Sequence, residues 1–337
     1  MSGLGSIGRQ HLAAFAQLPG VRLVAFDPDP GRRAAAEAHP AVERAVADYA
    51  DLLDAGPAAV VIAGPDHVHV PQLRAAADAG APLLVEKPVA ATLAEAREAA
   101  EHVGRAGTAA LVGYVLRHRL VVQRTRQLLA AGEVGEPVAV HVMLGAYGTI
   151  EAAVDRFATP EPDRLYRDYS HEWDYLRWCF GPITRAFAAA RTVGSVPHVE
   201  RPNCVDGLLE FASGLRATFH LDYLEPVGTR TVQVLGTGGA LLADFGRGTI
   251  TTRTATRAAS RTASRTAGRT GTRTELHELP EPPAAALGRQ AAHLVAVARG
   301  EAEPAVTLAD GVAALAASEA VRAAAATQRW HYLSLPD

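Results

Sequence analysis

Gly3-Leu4-Gly5-Ser6-Ile7-Gly8 opens the chain, and Arg9 to Phe15 follow it with apolar residues at helical spacing. In this G-x-G-x-x-G pattern the glycines allow a tight turn and a close approach of the backbone to a ligand. The helix after the turn offers free N–H groups and the positive end of its dipole to a pyrophosphate. The pattern predicts an α/β fold with a doubly wound parallel sheet, and it predicts these dinucleotide-binding residues: Gly3, Gly5, Ser6, Ile7 and Gly8.

A second signal for a dinucleotide follows the turn. Val21 to Phe26 is predicted to be a buried strand, and it ends in Asp27, nineteen residues beyond Gly8. A carboxylate at this distance typically meets the ribose hydroxyls. It favours NAD, because it would repel the 2′-phosphate of NADP. Arg32 and Arg33 keep NADP as the alternative, since two guanidinium groups could bind that phosphate, but both also suit the solvent-exposed face of a helix.

The glycine motif lies unusually close to the start of the chain. Only Met1 and Ser2 precede Gly3, whereas the motif should follow the first and most central strand of the sheet. Without that strand, the neighbouring strands would keep unpaired backbone groups and an open apolar slot. The cost could exceed the stability of a whole domain. We therefore expect a truncated or misassigned start.

Length and composition bound the class of protein. A chain of 337 residues suits two domains, and an apolar fraction of 48% with a formal net charge of −3 is typical of a soluble globular protein. There is no run of about eighteen apolar residues and no basic segment followed by an apolar one at the N-terminus. We therefore expect no membrane span, no signal peptide and a cytoplasmic location. Cys179 and Cys204 lack metal-ligand spacing, so both are expected to be reduced and buried, and no metal site is predicted.

The triplet Glu86-Lys87-Pro88 ends the apolar strand Leu83 to Val85 and is the first candidate for chemistry. Open α/β sheets bind ligands at the carboxyl ends of their strands, which is where this lysine would lie. Proline disfavours helix at the residue before it, so Lys87 is expected to be extended and held in place. A simple turn is the alternative interpretation.

Strands and helices alternate around this triplet, as a doubly wound sheet requires. Further elements of a first domain, residues 1–118, are strands at Ala59 to Ala63 and Ala109 to Gly113, and helices at Val70 to Ala79 and Leu93 to Val103. His69 precedes the first of these helices. Capping or packing at the helix start is one interpretation of this histidine, and ligand contact is the other.

A second chemical cluster runs from Asp168 through Ser170 and His171 to Trp178. With Ser170 as the N-cap, a helix here has His171, then Asp174 or Tyr175, and then Trp178 on one face. A histidine beside carboxylates is a candidate general base, because those neighbours adjust its pKa. The alternative is a capping histidine on a helix whose tryptophan belongs to the core.

The second domain, residues 119–337, has the alternation typical of an open, mainly antiparallel sheet with one buried face. Its predicted strands are Pro137 to Val142, Cys204 to Ala212, Leu215 to Tyr223, Arg230 to Leu235 and Ala240 to Phe245. Helices are predicted at Leu120 to Ala131, Ala284 to Ala298 and Leu308 to Ala325, and a short strand at Trp330 to Leu335.

A low-complexity Arg/Thr insertion at 247–274 interrupts this domain. Arginine recurs every four residues from Arg253 to Arg273, with no acid between. A basic arm for nucleic acid is one interpretation. A disordered hairpin loop is the favoured one, because the tract has nothing apolar to bury and no interleaved aromatic residues. No nucleic-acid partner is therefore predicted.

The glycine motif, Glu86-Lys87-Pro88, Gly113-Tyr114 with Arg117, and His171-Glu172-Trp173-Asp174 together resemble the Gfo/Idh/MocA family of sugar and cyclitol oxidoreductases. The resemblance covers nearly the whole chain. It implies an N-terminal Rossmann domain that binds NAD(H) or NADP(H). It also implies a C-terminal α/β domain with an open antiparallel sheet, which covers the substrate and forms homodimers or homotetramers.

The resemblance also implies roles for individual residues. Lys87 would orient the reacting hydroxyl and stabilise its negative charge, while His171 takes or returns the proton. Asp168 would support His171, but it lies three residues before the histidine where the commonest family pattern has four, so Asp174 is the substitute. Further implied cofactor contacts are Asp27, Pro65, His69, Glu86 and Lys87. Implied substrate contacts are Lys87, Tyr114, Arg117 and His171. Further candidates for contact with substrate hydroxyls or an acidic group are Tyr147, Arg156, Arg164 and Arg167, with a surface position as the alternative for each.

The predicted function is an NAD(P)-dependent oxidoreductase that interconverts a secondary alcohol and a ketone on a sugar, sugar derivative or cyclitol. The alternative is a catalytically silent family member that senses the dinucleotide or binds a protein partner, which the absent first strand suggests. The presence of Lys87 and His171 favours the enzyme.

Overall fold

The computed structural model describes residues 1–148, 163–194, 201–256, 271–282 and 284–333. The chain forms two compact units. Unit 1 comprises Met1–Arg119 and Pro282–Ala316, and unit 2 comprises Leu120–Glu281 and Ala317–Asp337. The first stretch of unit 1 ends at Arg119, and the predicted boundary is at residue 118.

The helices are α1 (Ser6–Ala16), α2 (Pro30–Glu37), α3 (Tyr49–Asp54), α4 (Asp66–Asp78), α5 (Leu93–Ala106), α6 (Leu120–Ala130), α7 (Arg164–Asp168), α8 (Ser170–Phe180), α9 (Ala285–Ala298) and α10 (Leu308–Thr327), with a short 3-10 helix at Val115–His118. The strands are β1 (Leu23–Phe26), β2 (Val42–Val46), β3 (Val60–Ile62), β4 (Leu83–Val85), β5 (Ala110–Val112), β6 (Pro137–Gly145), β7 (Ile183–Arg191), β8 (Cys204–Phe211), β9 (Arg216–Asp222), β10 (Thr229–Gly236), β11 (Gly239–Asp244), β12 (Thr249–Thr256), β13 (Gly271–Glu278) and β14 (His331–Tyr332). In the part of the chain that the structure describes, no helix is both long and apolar enough to cross a bilayer.

The strand pairings of unit 1 are parallel. β1 pairs with β2, and β3, β4 and β5 pair in that order. All residues of β3, β4 and β5 are buried, as expected of strands that helices cover on both faces. The predicted Rossmann domain is confirmed.

The two residues before the glycine motif lie between β1 and β3. Ser2 forms parallel bridges to Phe26 on one side and to Ile62 on the other. The Ser2 N–H donates to the Val61 carbonyl at 2.7 Å, and the Gly3 N–H donates to the Phe26 carbonyl at 2.8 Å. The position expected to lack a strand is therefore occupied by a two-residue segment that joins both halves of the sheet.

Helix α9 belongs to unit 1 and not, as the predicted boundary has it, to the second domain. It packs on α1 and on the 3-10 helix. Leu287, Ala291, Leu294 and Val297 recur at helical spacing and are buried in one cluster with Phe15 of α1. The apolar stripe predicts the helix, but such a stripe fits either core, so it does not predict which unit the helix covers.

The sheet of unit 2 has nine described strands in the order β13-β12-β11-β10-β6-β9-β8-β7-β14. Neighbouring strands are antiparallel except β6 and β9, which are parallel. The predicted open, mainly antiparallel sheet is confirmed. Strand β7 is absent from the sequence prediction, because its alanine-rich run has weak intrinsic strand preference.

One face of this sheet is buried and the other is open. On the buried face, Phe219 meets Trp173 of α8 edge to face, with ring centroids 5.0 Å apart. Helix α6, which also belongs to unit 2, packs over β11 and β12. On the open face, His141 and Met143 of β6 are exposed.

Both flanks of the Arg/Thr insertion are strands, which corrects the expectation of a disordered loop for these segments. β12 and β13 pair antiparallel from Thr249 opposite Glu278 onwards. Ile250 and Thr252 of β12 are buried, so this flank does have a face to bury. Threonine is β-branched and favours strands. The arginines at positions 257, 261, 265 and 269 lie outside the described residues.

His118 ends the 3-10 helix of unit 1 and is buried, with its ring centroid 5.6 Å from that of His293. Burial, together with the charges of His293, Arg289 and Arg117, lowers the pKa of His118 to about 4. In the unfolded chain the imidazole has a pKa of about 6.5. The unfolded state therefore binds more protons between these two values, and the free energy of unfolding falls as the pH drops through that window.

We expect this group to lower the free energy of unfolding by about 2 kcal/mol between about pH 7 and pH 5. The His118→Gln variant should lose this share of the pH dependence. The control variant His67→Gln, which changes an exposed histidine of α4, should keep it. Urea unfolding of the three chains at both pH values measures the difference. Equal pH dependence of the wild type and His118→Gln would contradict a buried, neutral His118.

Candidate active site

The turn before α1 is packed too closely for side chains at two of its glycines. A Cβ on Gly8 would collide with the Gly3 carbonyl oxygen, and a Cβ on Gly3 would lie 2.6 Å from the Ala63 backbone. Gly3 also has a φ of +87°, in the left-handed region that favours glycine. At Gly5, in contrast, a Cβ would meet nothing within 4 Å. Gly5 therefore leaves open space beside the first-turn N–H groups, which have no partner within their own helix.

The Asp27 carboxylate is held beside this turn at the end of β1. Its Oδ2 accepts from the Leu4 N–H at 2.8 Å, and its Oδ1 accepts from the Asp29 N–H at 2.9 Å. Arg33 donates to the Asp27 carbonyl at 2.8 Å, and Arg32 Nη1 lies 3.6 Å from Asp27 Oδ2. Both guanidinium groups thus interact with the loop itself.

A buried pair connects α1 to the end of β4. His11 Nε2 lies 2.7 Å from Glu86 Oε1, and both side chains are almost fully buried. Burial raises the pKa of the Glu86 carboxyl, but the hydrogen bond and charge of His11 and the neighbouring Lys87 outweigh it, so the pKa is lowered overall. A Cβ on Gly113 would lie 2.7 Å from this carboxyl group, so a side chain there would press on Glu86.

His11 was missed by the sequence analysis. Its signal is a polar residue on the buried side of α1, three residues after Gly8. Such a residue needs a hydrogen-bond partner, but the sequence does not say which one, because Glu86 comes from a distant strand.

Lys87 follows Glu86 at the carboxyl end of β4, the edge at which open α/β sheets bind ligands. Its N–H donates to Glu86 Oε2 at 3.1 Å, and its peptide bond to Pro88 is cis. The lysine side chain is half-buried. The backbone of Lys87 is therefore tied to the same carboxylate that anchors α1.

His69 supports the turn after this lysine. It lies inside α4, which begins at Asp66 instead of the predicted Val70. His69 Nδ1 lies 2.8 Å from the Pro88 carbonyl oxygen, and Nε2 lies 2.9 Å from the Gly64 carbonyl oxygen. Both ring nitrogens are used inside unit 1 and the side chain is buried. The expected direct contact of His69 with the dinucleotide stays a prediction.

Three further predicted residues of unit 1 follow β3 and β5. Pro65 is exposed in the loop before α4, and Tyr114 is fully buried after β5. Arg117 Nη2 lies 3.1 Å from Asp310 Oδ1, and its Nη1 donates to the Ala305 carbonyl at 3.1 Å. The buried arginine thus ties the 3-10 helix to the start of α10, and its expected contact with the substrate stays a prediction.

The catalytic candidates of unit 2 lie where α7 meets α8. His171 is in the first turn of α8, as predicted, but Tyr169 and not Ser170 is the N-cap, because α7 runs directly into this corner. Asp168 is buried, and the Tyr223 hydroxyl donates to its Oδ2 at 2.7 Å. The expected Asp168 and His171 are therefore both at one helical corner.

Two tyrosines hold this corner against the end of β9. The rings of Tyr169 and Tyr223 lie 5.1 Å apart, and the Tyr169 hydroxyl donates to the Asp222 carbonyl at 2.8 Å. Tyr223 was missed by the sequence analysis, because its contact with Asp168 exists only once β9 returns to the helical corner. A tyrosine at the end of a predicted strand is too weak a signal to find it.

The residue after His171 forms an ion pair that fixes α8 to β10, in which the carboxylate is buried and the guanidinium is half-buried. Glu172 Oε1 accepts from Arg230 Nε at 2.8 Å, and Glu172 Oε2 accepts from Arg230 Nη2 at 3.1 Å. Burial lowers the pKa of Arg230, but the Glu172 charge and hydrogen bonds raise it more. Removal of one partner from such a pair typically costs about 3–5 kcal/mol.

The other predicted residues of unit 2 lie on several elements. Tyr147 follows β6, is half-buried and donates its N–H to the Glu225 carbonyl at 3.0 Å. Asp174 is fully buried in α8 and Arg164 is buried in α7. Arg156 lies outside the described residues.

The residues of unit 1 fit an NAD-type dinucleotide. The open space at Gly5 and the N–H groups of α1 suit a pyrophosphate, and Asp27 offers a carboxylate at the end of β1 for ribose hydroxyls. Two family models match the chain: "Oxidoreductase family, NAD-binding Rossmann fold" over residues 1–114 and "GFO/IDH/MocA C-terminal domain" over residues 122–242. The chain belongs to the Gfo/Idh/MocA oxidoreductase family.

Several relatives of this Gfo/Idh/MocA protein have named activities. It is 36% identical over 181 residues to inositol 2-dehydrogenase 1 of Saccharopolyspora erythraea, a match that covers 52% of each chain and thus about half of that relative. It is 28% identical over 247 residues, 71% of each chain, to scyllo-inositol 2-dehydrogenase (NAD(+)) of Bacillus subtilis. A solved levoglucosan dehydrogenase in complex with NADH has the same fold, with a TM-score of 0.82 at 20% identity, covering 99% of this chain and 98% of that one.

Two glycine substitutions test the turn. Gly5→Ala should leave stability unchanged or raise it by up to about 1 kcal/mol, because the site has space and a compatible φ, but it should weaken NADH binding at least about tenfold. Gly8→Ala should instead lower stability by about 1–3 kcal/mol through overpacking. Thermal unfolding without ligand and a fluorescence titration with NADH separate the two effects. Wild-type NADH affinity of Gly5→Ala would contradict a pyrophosphate beside Gly5.

Proposed function

We propose that this family member oxidises a secondary alcohol of a cyclitol or sugar to a ketone, or catalyses the reverse, with NAD as the cofactor. The observation that carries the proposal is Lys87 at the carboxyl end of β4, tied to the buried Glu86 and His11 pair inside an NAD-binding fold. The inositol dehydrogenases among the relatives support the substrate class. Assembly as a homodimer or homotetramer belongs to the proposal through the family resemblance alone.

Lys87 is the proposed stabiliser of the reacting oxygen. An ammonium group that donates to the substrate hydroxyl favours the alkoxide character that develops as the C–H bond weakens. The backbone bond of Lys87 to Glu86 Oε2 limits the positions the ammonium can reach. Such preorganisation lowers the cost of orienting the hydroxyl.

His171 is the proposed acceptor of the hydroxyl proton. Its imidazole takes the proton during oxidation and returns it to the ketone oxygen during reduction. Asp168, anchored by the Tyr223 hydroxyl, is the proposed support of this histidine. When bound, NAD supplies the acceptor for the hydride that leaves the same carbon.

Lys87→Ala and His171→Asn test these roles. Each variant should lower kcat/KM by about 100- to 10,000-fold with inositols and NAD, since general acid–base and charge-stabilising groups contribute that much. NADH affinity should stay close to that of the wild type. His141→Gln is the matched control, because it changes an exposed histidine of β6 that bonds Thr218. The readout is NADH absorbance over a panel of inositols, aldoses and anhydrosugars.

The outcomes separate the proposal from its rival. Wild-type turnover by Lys87→Ala would refute the role of Lys87, and wild-type turnover by His171→Asn would refute the proton transfer. A wild type that binds NADH but turns over no polyol in the panel would favour the catalytically silent homologue.

The NAD preference is tested at Asp27. Asp27→Ser removes a negative charge that would face a 2′-phosphate while Arg32 remains nearby. We expect the ratio of NADPH to NADH affinity to rise at least about tenfold, because like charges at short range repel by more than 1 kcal/mol. Asp29→Ser, which changes the exposed N-cap of α2, is the control. An unchanged ratio in Asp27→Ser would remove Asp27 from the recognition of the ribose.

A further inference from the structure

Two neighbouring strands of unit 2 bring together four side chains that the proposed reaction does not use. Cys204 and Asp206 are two residues apart on β8, and His220 and Asp222 are two residues apart on β9. In the antiparallel register, Cys204 is opposite Asp222 and Asp206 is opposite His220. Residues two apart on a strand, and residues directly opposite across a pair, point to the same face. The four side chains therefore form one cross-strand cluster.

Three of these side chains converge with metal-ligand atoms. The Cys204 sulfur, an Asp206 carboxylate oxygen and a His220 ring nitrogen all lie within 4.8 Å of one another. His220 Nδ1 is 2.7 Å from Asp206 Oδ1, and Cys204 Sγ is 4.0 Å from Asp206 Oδ2. Tetrahedral zinc bonds of about 2.0–2.3 Å need ligand separations of about 3.3–3.7 Å. The separations between the ligand atoms would have to change by about 1 Å to reach these values. The Asp206 side chain is 52% exposed and has room for this movement.

Asp222 holds the imidazole from its other side. His220 Nε2 lies 2.8 Å from Asp222 Oδ2, while Asp222 Oδ1 accepts from the N–H groups of Leu224 and Glu225 at 2.6 and 2.8 Å. A metal-bound histidine usually donates its second ring N–H to a carboxylate, which fixes the tautomer and directs the other nitrogen to the metal. Asp222, which is buried and anchored by backbone N–H groups, is the carboxylate beside the second nitrogen, Nε2. Nδ1 of His220 is then the nitrogen that faces the metal position.

A purely hydrogen-bonded cluster is the competing explanation. Without a metal, only an imidazolium can donate to both carboxylates at once, and the buried Cys204 thiol has no necessary part in that arrangement. Arg191 is opposite Cys204 on β7 and interacts with its sulfur. Burial raises the pKa of the Cys204 thiol, and the hydrogen bond from Arg191 offsets only part of this rise.

We propose that Cys204, Asp206 and His220 bind a divalent ion of the zinc class, with Asp222 as the carboxylate that orients the histidine. A sulfur, a nitrogen and an oxygen suit Zn²⁺, whereas Mg²⁺ and Ca²⁺ prefer oxygen ligands only. Three protein ligands leave a fourth position for water or an external donor. The ion ties β8 to β9, and neither Lys87 nor His171 is among its ligands.

The test is Co²⁺ binding by the full chain after treatment with a chelator. Co²⁺ takes Zn²⁺ sites and reports a thiolate ligand through a near-ultraviolet charge-transfer band, while Zn²⁺ competition and elemental analysis give stoichiometry. The ligand variants are Cys204→Ser, Asp206→Asn and His220→Gln. The matched controls are Cys179→Ser, which changes the other cysteine, and His141→Gln on the neighbouring strand β6. Circular dichroism of each metal-free variant checks the fold. If a substitution at a buried residue unfolds the chain, the Asp206→Asn variant, which changes a half-exposed residue, still tests metal binding.

The expected result is one ion per chain, with a thiolate band that Cys204→Ser abolishes and both controls retain. His220→Gln and Asp206→Asn should weaken binding strongly, and Asp222→Asn should weaken it about 10- to 100-fold, as outer-shell changes do. No band in the wild type, a band that survives in Cys204→Ser, or a band that Cys179→Ser removes would each overturn the proposal.

Discussion

The buried carboxylate of Glu86 is the constraint on which the cofactor-binding half of the molecule depends. One oxygen meets His11 of α1 and the other accepts the Lys87 N–H, while Gly113 leaves room for the group. A buried carboxylate without such partners would cost several kcal/mol. The helix that faces the dinucleotide and the strand end that carries Lys87 are therefore fixed by the same carboxylate. A substitution that displaces one of them also displaces the other.

The catalytic candidates of unit 2 are fixed by the same physical means on different elements. Glu172 and Arg230 join α8 to β10 through two parallel hydrogen bonds, and Tyr223 joins the end of β9 to Asp168. His171 lies between these two anchors in sequence. A general base needs a fixed orientation more than a strong intrinsic basicity, and buried polar partners on rigid elements provide it. In each pair one partner, Arg230 or Tyr223, comes from a strand that is distant in sequence. These distant partners make the corner rigid.

What the sequence predicts well is local. The glycine turn, the strand that ends at Lys87 and the helix that holds His171 each follow from neighbouring residues, because backbone preference and periodicity act over one or two turns. The partners of these groups are not local: His11, Tyr223 and Arg230 find theirs only after folding. The same limit explains α9, whose apolar stripe gives no information on which core it covers, and β12, whose threonines pair because β11 offers an edge.

The cluster on β8 and β9 shows the limit most clearly. Metal sites are found in sequences when ligands share a short loop, since the loop itself sets their separation. Here Cys204 and His220 are sixteen residues apart, and their separation in space is set by the register of a hairpin. A slip of one residue in that register would turn His220 to the opposite face while leaving every sequence spacing unchanged. The donor set is therefore a property of strand pairing, and the absence of a metal motif in the sequence says nothing against it.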